Sequence, residues 1–448
     1  MNAGGRHRLT AGVVLVVLAL VALTLTGCVE KTEVVQAPSD TTAAPSQAGS
    51  ATDGPTVVSQ FPGAQTSAGT FPEAPVAAGS ADPIVVGMIN QENTPLGSFP
   101  ELRLAADAAV QFINAELGGV DGRPIQFEPC ITTFSVEKSQ ACAQDLVQKG
   151  AVAVTNGIDI SSNGSIPILE QNQVPMIGGV PVNNDEMQSP ISFQFSGGSP
   201  GAMVAFANYA ATVQHAHKVA MIYGDYASIK EAALDYGVAE LQRQGVTDIT
   251  EVPYPITSTD FLPVLTKANE NHPDAIILVA ADTACAPAMK TAKDLGITAT
   301  MYLVGSCAAP TIAEEIGEDA VAGRIFNVEG PITGADVDTK VYGAALAKYG
   351  DPDLPLASAG TVSFRNIMNL WSLMKQVGGD KVSKETLLAT VRAARDHPSF
   401  GGHPYTCDGQ QVPNLPALCA PQQILVVHED GGLQQLTDWI DVPALLAP

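Results

Sequence analysis

The chain is short of charge, and shortest of positive charge. Lys and Arg number 22 against 46 Asp and Glu, and charged residues make up only 15% of the 448. The net charge of −24 argues against nucleic acid or an anionic lipid surface as partner, because both need basic patches. It leaves a small ligand open, since the charge of a pocket can differ from that of the whole. No C-x-x-C occurs, which disfavours a zinc site and a thioredoxin-like redox motif. There is no G-x-G-x-x-G after the first strand and no G-x-x-x-x-G-K-[ST], which disfavours nucleotide binding. Beyond the first 30 residues no second membrane element is found.

What is present begins with an export signal. Arg6, His7 and Arg8 form a basic start, Ala11 to Leu23 is almost wholly apolar, and small residues follow. The run is too short for a comfortable span, which takes about 20 residues. It ends Leu25-Thr26-Gly27-Cys28, which resembles the lipobox of bacterial lipoproteins. The resemblance implies cleavage before Cys28 and diacylglycerol, with acyl chains such as palmitate, on its sulfur. Residues 1–27 are then a lipoprotein signal peptide. Residues 28–82, rich in Ser, Thr, Ala, Gly, Pro and Gln with scattered apolar residues, read as a disordered tether.

From residue 83 the chain reads as a well-packed globule long enough for two domains. Short apolar runs, "IVVGMI" (84–89), "IQFEPC" (125–130), "AVAVT", "VPMIGG", "KVAMIY", "AIILVA" and "TMYLVG", are strands. Segments with apolar residues at helical spacing lie between them, as in 101–117, 136–150, 229–245 and 287–296. The alternation predicts parallel sheets covered on both faces, and their number predicts an α/β protein of two Rossmann-like lobes.

Two sharper motifs have plain readings. "GGSPG" (197–201) matches G-x-S-x-G after a strand and before a helix, which would make Ser199 a hydrolase nucleophile. The residue after the nucleophile must lend a backbone N–H to the oxyanion hole, and Pro200 has none. Ser199 reads instead as a helix cap with Pro200 at the first turn. His215 and His217 lack a nearby third ligand and read as solvent-facing. No catalytic constellation is found, and no metal or cofactor is expected.

Lipoprotein signal, tether and two α/β lobes together resemble a solute-binding protein of an ABC importer, and most closely the leucine/isoleucine/valine-binding, or type I periplasmic binding, family. The residues that carry the resemblance are "VVGMI…ELRLAADAAVQFINAELGGVDGRPIQF", "CAQDLVQKGAVAVTNG…SS…IPILEQNQVPMIGG", "KVAMIYGDY", "DAIILVAAD" and "QILVVHEDGGL". The resemblance implies a type I fold with a three-crossing hinge: lobe 1 from 83–200 and 331–404, lobe 2 from 201–330 and 405–448, with crossings near Ser199, Pro331 and His403. It implies a monomer that closes over a small polar solute (an amino acid, an amide or an organic acid) and passes it to the permease subunits of an ABC importer; a ligand-sensing ectodomain of the same fold is the alternative. In the family's site, hydroxyls after the third strand hold the ligand carboxylate. Here that place falls on Ser161 and Ser162, or on Asp159 in the other register. Backbone groups fall on Val180 to Val182. Phe99 or Ser98 forms a wall, Tyr226 an aromatic of lobe 2, and Asp282 the cleft edge. Where amino-acid binders carry a glutamate for the α-ammonium, Ser306 stands with no acid beside it, a departure that weighs against a free α-amino acid.

With Cys28 set aside, six of the seven cysteines remain. An even number in an exported chain points to disulfides. Neighbours along the chain are expected to pair: Cys130 with Cys142, Cys285 with Cys307, and Cys407 with Cys419.

Overall fold

In a computed structural model the described residues are 54–94, 97–280, 282–330, 332, 334–351, 354 and 359–447. Cys28 and the rest of the export segment lie outside them, as does Pro331.

Lobe 1 holds a parallel sheet. Its strands are β1 (Ile84–Gln91), β2 (Ile125–Thr132), β3 (Ala153–Asn156), β4 (Met176–Ile177) and β5 (Ser192–Phe193), in spatial order β2-β1-β3-β4-β5. β1 is buried along nearly its whole length, which is why it reads as an unbroken apolar run. Helix α1 (Pro100–Glu116) packs on it through Leu102, Ala105, Ala109, Phe112 and Ile113. Helix α2 (Val136–Gln148) starts where the Ser135 hydroxyl accepts from the Lys138 N–H.

Lobe 2 holds seven strands: β6 (Lys218–Gly224), β7 (Asp248–Tyr254), β8 (Ala275–Val279), β9 (Thr300–Leu303), β10 (Ile325–Val328), β11 (Ile424–Glu429) and β12 (Gly432–Gln435). Their order is β12-β11-β10-β9-β8-β6-β7. Five are parallel; β11 and β12 join antiparallel. Helix α3 (Gly198–Thr212) packs on the lobe 2 sheet, and helices α4 (Val337–Tyr349) and α5 (Gly360–Val377) pack on α1 in lobe 1. The helix expected over 229–245 forms with one wide turn, Ala232–Val238.

Three passages of chain connect the lobes. The first is Gln194–Gly198, and the second begins at Glu329. The third comes later than expected. Near His403 the chain still belongs to lobe 1, because Tyr405 stacks on Phe195 at 4.3 Å between ring centres and Cys407 and Cys419 lie in the lobe 1 core. It leaves at about Cys419–Gln423, alongside the first passage, where the Gln194 N–H donates to Ala417 O and the Cys419 N–H to Gln194 O. The expected lobe 2 return from residue 405 thus begins some fifteen residues too early.

A second correction concerns the tether. The expectation of disorder over 28–82 fails for the described residues 54–82. A short helix, Val57–Gln60, and a hairpin of Gln65–Thr66 with Gly69–Thr70 lie along lobe 1. Val57, Val58 and Phe71 are buried. The Val57 and Val58 N–H groups donate to the two oxygens of Glu116 at 3.0 and 2.7 Å, and the Tyr349 hydroxyl donates to the same carboxylate at 2.5 Å. Phe71 meets Phe112 edge-on. The composition of this strap is that of a linker, yet a few apolar residues with distant partners suffice to dock it.

The structure joins Cys130 to Cys142, Cys285 to Cys307 and Cys407 to Cys419. The first ties β2 to α2, and the second ties the loops that follow β8 and β9. None of the helices among the described residues is long and apolar enough to cross a membrane.

Candidate solute-binding cleft

In both sheets the strand order reverses at the first strand of the lobe: β1 lies between β2 and β3, and β6 between β7 and β8. Loops leaving the carboxyl ends of two such strands diverge, and a crevice opens between them. The two crevices face each other. From β1 comes Phe99, from β3 Ile158 and Ile160, from β4 Val180 and Val182. From β6 come Ser228 and Ile229, from β8 Val279, Ala280 and Asp282, and from β9 Val304, Gly305 and Ser306. These residues line one cavity of about 480 Å3.

Five of the expected residues therefore meet: Phe99, Val180, Val182, Asp282 and Ser306. Asp159, Ser161, Ser162 and Tyr226 do not line the cavity. The Asp159 carboxylate is spent inside lobe 1, on β2, α2 and its own loop. It accepts from the Thr132 hydroxyl and the Ser161 N–H at 3.1 Å each, and from the Ser139 hydroxyl at 2.6 Å. Burial raises its pKa, and those three donors pull it back. Turning this side chain inward sends its neighbours Ile158 and Ile160 to the cavity, so an apolar wall stands where hydroxyls were expected. The backbone of the next loop is likewise occupied: the Val180 N–H donates to Gly157 O and the Val182 N–H to buried Glu186. Burial pushes the Glu186 carboxyl up to about 8. Val180 and Val182 offer the cavity their side chains.

Tyr226 works at the lip. It precedes the helix Ala227–Glu231 in lobe 2, and its hydroxyl donates to Ile160 O in lobe 1 at 3.1 Å. Asn184 donates to Glu231 across the same gap. At the other lip the Asp282 carboxylate accepts from the Ser98 N–H. The lobes are closed on each other, with Glu101, Glu92 and Asp282 gathered at the mouth. Burial, reinforced by Asp282 and Glu92, pushes the Glu101 carboxyl up to about 7.

Sequence reasoning missed the floor of the cleft. Glu329 lies at the start of the second passage. Its Oε1 accepts from the Ser196 hydroxyl at 2.8 Å and the Gly197 N–H at 2.9 Å on the first passage, and from Gln423 Nε2 at 3.0 Å on the third. Its Oε2 accepts from Arg365 of α5 at 2.9 Å, with the two side chains only 4% and 11% exposed. Arg365 also donates to the Glu329 carbonyl and to Phe195 O. One carboxylate thus fastens all three passages and a lobe 1 helix. Gly197 permits the approach, because a Cβ there would come within 2.7 Å of Gln423 Nε2 and Pro421 O. A signal was available: Arg365 is the one charged residue on the otherwise uncharged stretch "GTVSFRNIMNLW".

Ser199 lines the cavity but does not cap α3. The helix begins at Gly198, and no side-chain bond caps it. His215 and His217 are both exposed.

Residues 83–417 match the family described as periplasmic binding protein, and the chain belongs to that family. It is a binding protein of the extracytoplasmic kind. Its fold is shared by a leucine-binding protein, LivK, of Thermotoga maritima MSB8 (18% identity, 79% of this chain and 98% of that one, TM-score 0.65). It is shared by a fatty acid ABC transporter substrate-binding protein of Thermomonospora curvata (15%, 83% and 96%, 0.69). It is shared too by a solute-binding protein of Rhodopseudomonas palustris HaA2 in complex with p-hydroxybenzoic acid (20%, 80% and 98%, 0.67). No curated protein matches the sequence significantly.

Proposed function

We propose that the chain is a lipoprotein, anchored through Cys28 on the extracytoplasmic face, that captures a solute with a mainly apolar body by closing its lobes and hands it to the permease of an ABC importer. The observation that carries the reading is the cavity wall. Phe99, Ile158, Ile160, Val180, Val182, Ile229, Val279 and Val304 surround the place where the lobes meet. A free α-amino acid needs an anion site and a cation site side by side, because burying either charge unpaired is costly. Here Asp159 is turned away, the N–H groups of Val180 and Val182 are taken, Asp282 binds Ser98, and Glu329 is paired with Arg365. An organic acid or amide with an apolar body fits this wall better than leucine does. The solved relatives with a fatty acid transporter's name or a bound hydroxybenzoate agree with such a solute, while the leucine-binding relative favours the amino-acid alternative. Thermal melting against amino acids, amides, aromatic acids and aliphatic acids tests it, since a ligand that binds only the native state raises Tm. A rise with leucine or isoleucine and none with the acids or amides would overturn the choice of solute.

A further inference from the structure

The cavity does not end at the lobes' meeting place. Past Ser196, Glu329, Gly330 and Arg365 it continues along one side of α4, where Asp338, Thr339, Tyr342 and Gly343 line it. Val362, Phe400 and, from lobe 2, Ile332 and Leu433 complete this rear end. These residues belong together in space. Asp338 accepts from the Gly401 N–H at 3.0 Å, Tyr342 stands edge-on to Phe364 at 5.1 Å, and Phe364 meets Phe400 at 5.7 Å. The site therefore has a front chamber at the strand ends, a polar waist at Glu329 and Arg365, and a rear chamber that is apolar apart from Asp338, Thr339 and Thr361. A Cβ built on Gly343, within α4, would meet no described residue within 4 Å.

From this geometry we infer that the solute is an elongated, mainly apolar molecule with a single oxygen-bearing head, of the length of a long acyl chain, that occupies both chambers. The inference rests on the reading of the cavity as the solute site and specifies the class of solute. A molecule of leucine's size would occupy the front chamber alone. The apolar walls of the rear would then lack contacts on one side, and forfeited contacts of this kind lower stability wherever water cannot usefully replace them. The waist does not block passage by chemistry, since its charges are paired with each other and its oxygens are engaged.

The test uses the full chain and palmitate, hexadecanol and leucine as probes, each measured by the rise in Tm and by displacement of Nile red. Palmitate and hexadecanol share the long apolar body and differ in head charge, so their ratio tells whether the head is a carboxylate or a hydroxyl. At least one of them should protect the chain, and leucine should not. The second arm is Gly343→Leu, which places a side chain in the rear chamber on a helix that favours Leu over Gly. It should weaken binding of the long probe at least tenfold, with the ligand-free Tm no lower than that of the parent. Protection by leucine alone would overturn the elongated class and leave solute capture standing. Protection by a long probe that Gly343→Leu does not reduce would overturn occupancy of the rear chamber. Protection by none of the three would overturn the elongated class, and the wider solute panel would then decide separately whether the cavity binds a solute.

Discussion

Replacing Glu329 is the sharpest test of how the lobes are held. In Glu329→Ala, Arg365 keeps its charge, 4% exposed, with no carboxylate opposite. A buried charge stripped of its partner typically costs about 3–5 kcal/mol. The Ser196 hydroxyl, the Gly197 N–H and the Gln423 amide lose their acceptor together. Each buried donor left unpaired would cost about 1–3 kcal/mol, but Ser196 borders the cavity, where water can reach its hydroxyl, and the Gln423 amide keeps Pro421 O as an acceptor, so the charge term dominates. The expected loss is about 4 kcal/mol, read by urea denaturation. The companion variant Glu329→Gln/Arg365→Met removes both charges and fills the space. It should recover most of the loss, because an apolar replacement of a buried pair is often neutral. A double-mutant cycle with Glu329→Gln and Arg365→Met, each alone, completes the measurement. Two results would refute the reasoning: a single-variant cost below about 1 kcal/mol, the scale of an exposed ion pair, or a double variant that costs the sum of the two singles. Because the carboxylate fastens all three passages, Glu329→Ala should also widen the spread of lobe angles, seen as a larger radius of gyration in solution scattering.

Three further outcomes are expected. Glu101 carries an acid held near pH 7 at the closed mouth, against the ordinary 4.5. Its ionised form therefore opposes closure: nothing is lost below 4.5, the penalty grows from there to about 7, and it is full above. Solute affinity should fall several-fold from pH 5 to pH 8, Glu101→Gln should flatten that dependence and tighten binding at pH 8, and an unchanged profile in the variant would place the titration elsewhere. Tyr226→Phe removes the bond to Ile160 O and should weaken solute binding by about 0.5–1.5 kcal/mol, up to roughly tenfold, through faster release; equal dissociation rates would show that the lip bond does not hold the closed state. A chain starting at residue 83 lacks Val57, Val58 and Phe71, each contributing about 1.5–3 kcal/mol when fully buried, so its urea midpoint should fall clearly below that of a chain starting at residue 54, and coincident curves would show that the strap adds nothing.

What was legible in the sequence followed from period and order. Buried parallel strands must be apolar on both faces, so β1, β6 and β8 appear as short, almost wholly apolar runs. Their alternation with helices leads to two sheets, and the cleft position then follows from where strand order reverses. Phe99 and Asp282 came from the family resemblance, which puts them in the loops after the first strand and after "LVAAD". The rest depended on partners far away in the chain. The strap reads as linker because Val57, Val58 and Phe71 are few and without period; only Glu116 and Phe112, some forty to sixty residues on, give them a place. The cleft loop after β3 shows why composition misleads at a site. Four hydroxyl and carboxyl side chains in "DISSNGS" look like ligand groups. Yet a loop must first satisfy its own buried backbone, and Asp159 turns inward to accept from Ser161, Thr132 and Ser139. Once it does, alternation along the loop faces Ile158 and Ile160 to the cleft.

The same reasoning explains why Glu329 and Arg365 could be suspected but not paired from sequence. A single guanidinium on an apolar helix has to find an acceptor, because leaving it buried and alone costs more than a fold of ordinary stability can lose. The sequence holds 46 acids that could serve. The choice is made by topology: among the described residues Arg365 of α5 donates to Glu329 and to the carbonyl of Phe195, where the chain first leaves lobe 1. The pair is therefore a consequence of the three-passage connection. Any solute that fills the cavity on both sides of it presses on the one contact that all three passages share, which links occupancy of the cleft to the angle between the lobes.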